Sequence, residues 1–225
     1  MSQAPYDSFN LGGGVGDDPA AVAANRARLA AAAGLSADRL VWMRQLHGVN
    51  VQTVAGPDGS GEPIPTPDAD GIVTAAAGVG LAVLVADCVP ILAADPVAGV
   101  LAAVHAGRRG AAAGIADRAM ATMVALGAQV GRIEVLLGPA ICGRCYEVPE
   151  SMRAEVDAFL PGSATSTGRG TPGLDLRAGL ARRFAESGVA EVVVDNRCTY
   201  TDPDLYSHRR GAPTGRLAGL IWLGS

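Results

Sequence analysis

Apolar and polar positions fall in blocks along this chain, and the blocks sort into two kinds by length. Short runs rich in Val, Ile and Leu, bounded by Gly, Pro, Asn or Asp, read as strands. These are Leu40–Met43, Val49–Val54, Gly71–Thr74, Leu81–Ala86, Val100–His105, Arg132–Leu137, Glu191–Asp195 and Leu217–Leu223. Longer Ala-rich or periodic blocks read as helices. The first opens at Asp17-Asp18-Pro19, a capping residue with Pro in the first turn, and runs to about Ala33 before Gly34 stops it. Others cover Gly110 to Leu126, Glu150–Phe159 and Leu174–Ser187. Gly56 to Asp68, with four prolines, reads as a surface loop and candidate lid, and Pro161 to Gly173 as a polar loop. Strands outnumber helices and come in runs. That predicts an α+β fold in one domain over residues 1–225 rather than a regular βαβ series.

Composition narrows the function classes. With 225 residues, 49% hydrophobic and 18% charged, the chain can bury a large core. A net charge of −4 supplies no overall basic field for nucleic acid. All 18 basic residues are Arg, which excludes a Lys Schiff base or a P-loop Lys. No apolar run approaches a membrane span of about 20 residues. The first residues lack both a basic and an apolar signal region, and four cysteines in so long a chain make no disulfide framework. The expectation is a cytoplasmic protein, monomeric or weakly homo-oligomeric, acting on a small molecule.

Candidate chemistry collects where strands end. Only three histidines occur, and two lie in Gly-flanked segments that bracket an Asp-Cys pair. The segments are Arg44-Gln45-Leu46-His47-Gly48, Ala86-Asp87-Cys88-Val89-Pro90 and His105-Ala106-Gly107-Arg108-Arg109-Gly110. Two imidazoles and one thiolate make a three-ligand zinc set with one tetrahedral position open, the pattern of a catalytic rather than a structural site. Strand alternation puts Gln45 on the same face as His47. Each segment alone has an ordinary reading: a surface histidine, a small buried Cys, a strand-to-helix turn with solvated arginines. Asp87 shifts the balance, because a carboxylate at a strand end is costly to bury without a partner. The turn after His105 offers backbone N–H groups and two guanidiniums to an anion.

Two further constellations stay open. Cys142-Gly143-Arg144-Cys145 reads as a redox pair or half of a structural zinc site, with packing or a backbone turn favoured over either. A four-cysteine site would need Cys88 as well as Cys198. The stretch Asp195 to Arg210, dense in polar and aromatic residues, reads as a substrate-closing loop or a plain surface loop.

Taken together these segments resemble the YfiH family, also called the laccase-domain or purine nucleoside phosphorylase YfiH family. The similar pieces are Asn10-Leu11-Gly12 with Val15-Gly16-Asp17-Asp18, Arg44-Gln45-Leu46-His47-Gly48 and Ala69-Asp70-Gly71. They continue through Ala86-Asp87-Cys88-Val89-Pro90, His105-Ala106-Gly107, Gly138-Pro139-Ala140-Ile141, Cys145-Tyr146-Glu147-Val148 and Arg209 to Trp222, nearly end to end and in order. The resemblance implies a mixed β-sandwich layered with helices and a catalytic zinc, one per chain, on His47, Cys88 and His105. It implies phosphorolysis of purine nucleosides (adenosine, inosine, methylthioadenosine), with adenosine deamination also ascribed to the family. Polyphenol oxidation and peptidoglycan editing are its other ascribed roles. Two departures stand out. Arg108 occupies a position where the family usually has Trp. Only nine residues precede Asn10, where the family usually has a further strand and Gly-rich turn, so a wall of the site is expected to be missing or to lie upstream.

Arithmetic disfavours the oxidase reading. A four-copper laccase needs about ten His ligands and this chain has three His; copper at the same three ligands remains as metal substitution. For nucleoside chemistry the expected catalytic residues are Asp87 as the proton-transfer group, with Cys88, Arg44 and Gln45. Arg44, Arg109, Arg210 and Asn10 are expected at substrate or phosphate. The alternatives are a Cys88-dependent amidase or hydrolase, and a non-catalytic metal-binding protein.

Overall fold

The computed structural model describes residues 1–56 and 64–223. Residues 57–63 of the predicted lid, Gly56 to Asp68, lie outside the described residues. The architecture is four layers, each following from which side of a strand is apolar.

The central layer is a six-stranded mixed sheet built from β2 (Val51–Thr53), β3 (Gly71–Thr74), β5 (Val89–Asp95), β6 (Val100–Ala106), β7 (Glu134–Leu137) and β10 (Glu191–Val194). Its order is β10-β7-β5-β6-β3-β2. A second sheet, β1 (Leu40–Val41), β4 (Gly80–Val85) and β11 (Leu217–Trp222), has the order β1-β4-β11 and lies across β5 and β6. Every residue of β6 is buried, so it reads as a continuous apolar run. Its two faces separate by alternation. Val100, Ala102, Val104 and Ala106 pack with Ile115, Met123, Leu180 and Phe184 under the helices. Leu101 and Ala103 pack with Leu81 and Val83 between the sheets. His105 has the parity of Leu101 and Ala103, so its ring enters the space between the two sheets at their open end.

The outer layers are helices. α1 (Pro19–Ala32) covers the outside of the small sheet through Ala30, against Leu40 and Ala82. Its cap is as predicted, with Asp18 accepting the Ala20 N–H and Pro at the first turn. On the far side of the large sheet lie α2 (Arg108–Ala112), α3 (Ile115–Ala125), α4 (Glu150–Phe159) and α5 (Leu176–Ser187). The helix expected over Gly110 to Leu126 is therefore two. Gly114 between them adopts φ +85°, a left-handed conformation that ends one helix and caps the next.

The sequence reading also missed three strands. β5 contains Pro90, which argues against a central strand. Pro90 is accommodated because its carbonyl accepts Gly138 N–H at 2.9 Å, one residue beyond the end of β7. A residue's N and O point to the same side, so the missing donor faces a place where the ladder has already stopped. β8 (Ala164–Ser166) and β9 (Pro172–Leu174) form a small hairpin inside the stretch expected to be a loop.

Candidate active site

The three segments singled out in the sequence meet at one end of the sandwich. His105 is the penultimate residue of β6, Cys88 lies in the turn between β4 and β5, and His47 sits in the loop after β1. Register fixes the first two, because Pro90 pairs with His105 and Val89 with Ala106, leaving Cys88 beside the end of β6. The loop carrying His47 is tied down by Arg44 N–H to Pro67 O and Ala69 N–H to Arg44 O. Among the described residues only His47 (φ +59°) and Asp87 (φ +94°) are non-glycine residues with positive φ. Strained backbone at two neighbouring polar positions is characteristic of functional sites.

One ligand atom each of His47, Cys88 and His105 can be chosen so that all three lie within 4.8 Å of one another. Cys88 Sγ is 4.0 Å from His47 Nε2, and the two imidazoles meet edge to face with centroids 4.7 Å apart. Gly107 makes this convergence sterically possible. A Cβ there would come within 3.0 Å of His47 Cδ2 and 3.2 Å of Cys88 Sγ.

Asp70, buried at the start of β3, organises the cluster from behind. Its Oδ1 accepts His47 N–H (2.9 Å) and lies 2.9 Å from His105 Nδ1. Its Oδ2 accepts Leu46 N–H (3.2 Å) and Gly48 N–H (2.7 Å). An ionised carboxylate only accepts, so His105 Nδ1 is the protonated nitrogen and Nε2 is directed away, free to ligate. The charges follow from this packing. Burial pushes the Cys88 thiol up, but hydrogen bonds and charge from His105 and His47 outweigh it and bring it to about 6. Burial pushes His105 down, but Asp70 and the Cys88 sulfur outweigh it and raise it to about 9. The donor set, two imidazoles, one thiolate and a carboxylate behind one imidazole, fits zinc with an open position.

The cluster forms the floor of a cavity of about 700 Å³. Among the described residues six arginines line it, Arg26, Arg44, Arg108, Arg109, Arg209 and Arg216, against one carboxylate, Asp87. Several of these arginines are already engaged. Arg26 lies over the Trp42 ring and bonds Leu11 O, Arg44 pairs with Asp68, and Arg209 lies over Tyr146 and bonds Glu147 O. Arg108 and Arg109 have no carboxylate partner among the described residues, which leaves them available to an anion. Asp87 is held on both oxygens, accepting Thr199 Oγ1–H at 2.6 Å and Arg209 N–H at 2.7 Å.

Four sequence-predicted residues are placed differently from expectation. Gln45 reaches the cavity wall, but its amide is spent on the backbone of Leu84, donating to O (2.7 Å) and accepting from N (2.8 Å). Asn10 is fully buried and holds the Gly12 and Arg216 backbone, with Asp17, so it does not line the cavity. Arg210 directs its guanidinium at the carbonyls of Thr199, Tyr200, Asp202 and Leu205 and borders a different hollow, near Tyr206. Arg44 reaches the cavity, but its charge is directed outward to Asp68. Each of these polar side chains is spent inside the protein, on backbone groups or, for Arg44, on a carboxylate, a choice that sequence spacing does not reveal.

Sequence reasoning also missed residues. Asp70 was visible in Ala69-Asp70-Gly71, and the strand-end argument applied to Asp87 applies to it equally. Arg26 and Trp42 reach the cavity from distant segments with no local signal to mark them, whereas Tyr146 and Arg216 lie in segments that carry the family resemblance and were given no role. The third histidine, His208, also lines the cavity, from the stretch read as either a substrate-closing or a plain surface loop. The two remaining half-buried cysteines, Cys142 and Cys145, lie next to Cys198 rather than near Cys88. Burial and the neighbouring thiols push Cys145 up to about 12; burial also raises Cys198, but N–H donors led by that of Cys142 bring it to about 7.

Comparison with known proteins agrees with this fold. Residues 1–224 match the family described as multi-copper polyphenol oxidoreductase laccase. The chain is 57% identical over 223 residues to "Purine nucleoside phosphorylase Rv2149c" of Mycobacterium tuberculosis, covering 99% of this chain and 88% of that protein. It is 52% identical over 223 residues to "Purine nucleoside phosphorylase ORF3" of Streptomyces griseus, covering 99% and 90%. Among solved structures, YlmD from Geobacillus stearothermophilus superposes with a TM-score of 0.89 at 35% identity, covering 99% of this chain and 87% of that one. The Neisseria meningitidis protein NMB0706, of the DUF152 family, gives 0.87 at 34%, covering 100% and 90%. No helix among the described residues is long and apolar enough to cross a membrane. The chain belongs to the laccase-domain family of YfiH/DUF152 type.

Proposed function

We propose that the protein is a metal-dependent purine nucleoside phosphorylase acting on adenosine, inosine or methylthioadenosine, with zinc on His47, Cys88 and His105. The observation that carries this reading is the convergence of these three side chains at the floor of an arginine-lined cavity. Its setting supports it, a chain 57% identical to a protein named purine nucleoside phosphorylase. Phosphorolysis needs a place for a phosphate, a place for a nucleoside and a group that exchanges a proton with the purine. Arg108 and Arg109 supply charge for the phosphate. Tyr146 and Trp42 supply aromatic surface within the same cavity. Asp87, oriented by Thr199 and Arg209, is the proton-transfer group. Zinc, when bound, supplies a Lewis acid at the cavity floor.

The copper-oxidase reading is disfavoured by the donor count, since three histidines cannot furnish a four-copper centre. A second reading has its own support. Asp70, His105 and Cys88 form a carboxylate–imidazole–thiolate line, the arrangement of a cysteine hydrolase. Against it, His47 approaches the same sulfur from another side, which ligation requires and a nucleophile does not.

The experiment is product analysis of fully metallated protein with adenosine. Phosphorolysis yields adenine and ribose 1-phosphate only when phosphate is present. Inosine formed without phosphate would move the assignment to deamination. With neither product, the peptidoglycan-editing, hydrolase or binding readings take precedence. Elemental analysis of His47→Ala, Cys88→Ala and His105→Ala tests the ligands, and full metal retained in all three would refute them.

A further inference from the structure

The motif that this reading leaves unused is Cys142-Gly143-Arg144-Cys145. The N–H groups of Cys145 and Tyr146 both close on Cys142 O, at 2.9 and 3.0 Å, so the segment curls into one turn. The fold then brings a third thiol to it from 53 residues further along the chain. Ala140 and Cys198 form a β-bridge, and Cys142 N–H donates to Cys198 Sγ at 3.3 Å. The three sulfurs lie within 4.8 Å of one another. The turn has little room to move away. A Cβ on Gly143 would come within 2.7 Å of Thr165 Cγ2 and 2.8 Å of Asp175 Cβ, so it is pressed against β8 and the start of α5.

We propose that Cys142, Cys145 and Cys198 form a second, thiolate-only site for a thiophilic d¹⁰ cation, Zn²⁺ or Cu⁺, separate from the His47, Cys88 and His105 cluster. The donor type is the argument. Three sulfurs with no oxygen or nitrogen ligand among them select soft cations over magnesium, calcium or manganese. A zinc–sulfur bond of about 2.3 Å implies tetrahedral sulfur–sulfur separations of about 3.8 Å, so the cluster need contract by no more than about 1 Å. Zn²⁺ takes a water as its fourth ligand, whereas Cu⁺ is satisfied by three thiolates. Cys198 is buried while Cys142 and Cys145 are half-buried, which leaves an entry side.

The position gives the ion a consequence. It joins the segment after β7, which carries Ile141 and Tyr146 into the cavity, to the segment after β10, which carries Thr199, His208 and Arg209. A bound cation ties these two walls together beside Asp87 and adds no ligand to the catalytic cluster.

The test compares wild type with Cys88→Ser, which removes the thiol of the first cluster. Both are reduced, stripped of metal, and exposed to buffered free Zn²⁺ in one arm and Cu⁺ under anaerobic conditions in the other. The expected content is about two cations per chain in wild type and about one in Cys88→Ser, from three ligands at each site. In Cys88→Ser, peptide mass spectrometry after iodoacetamide is expected to find Cys142 and Cys145 protected at least tenfold by the cation that binds. The arm showing protection at the lower free concentration identifies the cation. Further substitution to Cys88→Ser/Cys198→Ser is expected to abolish protection. The proposal is overturned if wild type holds one cation that Cys88→Ser loses. It is equally overturned if neither cation slows alkylation, or if protection survives removal of Cys198. The stoichiometry of wild type requires no variant to fold.

Discussion

Replacing Asp70 with Asn changes one atom of the buried carboxylate and should dismantle the cluster in a defined way. Asp70 accepts four N–H groups, two on each oxygen. An amide has one oxygen and one NH₂, so one pair of donors must face a donor. Placing the NH₂ toward Leu46 and Gly48 orphans two backbone N–H groups, at about 1–3 kcal/mol each. Placing it toward His47 and His105 orphans one, because His105 can shift its proton to Nε2 and accept at Nδ1. The second arrangement costs less, and it protonates the nitrogen needed for ligation. The variant is therefore expected to fold with a stability loss of about 1–3 kcal/mol, one orphaned donor. Metal affinity should fall about 10- to 100-fold, the usual effect of removing a partner behind a ligating His. In metal-free protein the His105 pKa should drop from about 9, because burial then acts with the Asp70 charge removed. Denaturant unfolding, competition with a chelator and NMR titration of the imidazole read the three effects. Wild-type metal affinity in a variant with normal stability would refute the argument that Asp70 sets the His105 tautomer.

Gly107→Ala should leave the fold intact, since φ −74°, ψ 166° suits Ala, yet push His47 and Cys88 by a few tenths of an ångström. That exceeds the roughly 0.2 Å tolerance of metal–ligand distances, so affinity should fall at least about tenfold; unchanged affinity would mean that Gly107 does not govern the convergence. Asp95 is buried, and although burial pushes its carboxyl up, the N–H groups of Gln129, Ala98, Arg132 and Val97 hold it at about 2. Its folded pKa lies below the unfolded value of about 3.9, so its stabilisation is complete above about pH 4 and is lost as pH falls through about 2. Asp95→Asn should be less stable than wild type at neutral pH, with the gap closing on acidification; a gap independent of pH would contradict this. Arg108→Trp should raise the KM for phosphate about tenfold through loss of one charge-assisted contact while metal content stays constant, and an unchanged KM would remove Arg108 from the phosphate site.

The sandwich was legible in the sequence because its strands are buried on one or both faces, and burial writes itself as apolar runs. β6 and β4 stand out for that reason, and so does the cluster, since His47, Cys88 and His105 are polar residues interrupting or ending such runs. β5 was hidden by Pro90, whose missing donor is harmless only because β7 ends where it does, a fact of register rather than of local pattern. The hairpin of β8 and β9 was hidden because β8 is mostly exposed, β9 opens on Pro172-Gly173, and two three-residue strands leave little periodicity to read.

Side-chain roles divided along a different line. Residues whose chemistry requires a particular element, such as thiolate or imidazole, declare themselves, because few alternatives account for them at strand ends. Guanidiniums and amides do not, because the same group serves a substrate or a backbone carbonyl equally well. Arg210 and Arg109 are indistinguishable in sequence, both half of an Arg-Arg pair, yet one is bound to four carbonyls and the other faces the cavity without a carboxylate partner among the described residues. The difference lies in the loop around Arg210, where the backbone turns away from any ladder and exposes its carbonyls inward. An unladdered loop must find donors for those oxygens, and an arginine inside it is the nearest supply. Arg109 lies in a short helix in which its own carbonyl already accepts the Ala113 N–H, and its charge is left to whatever enters the cavity.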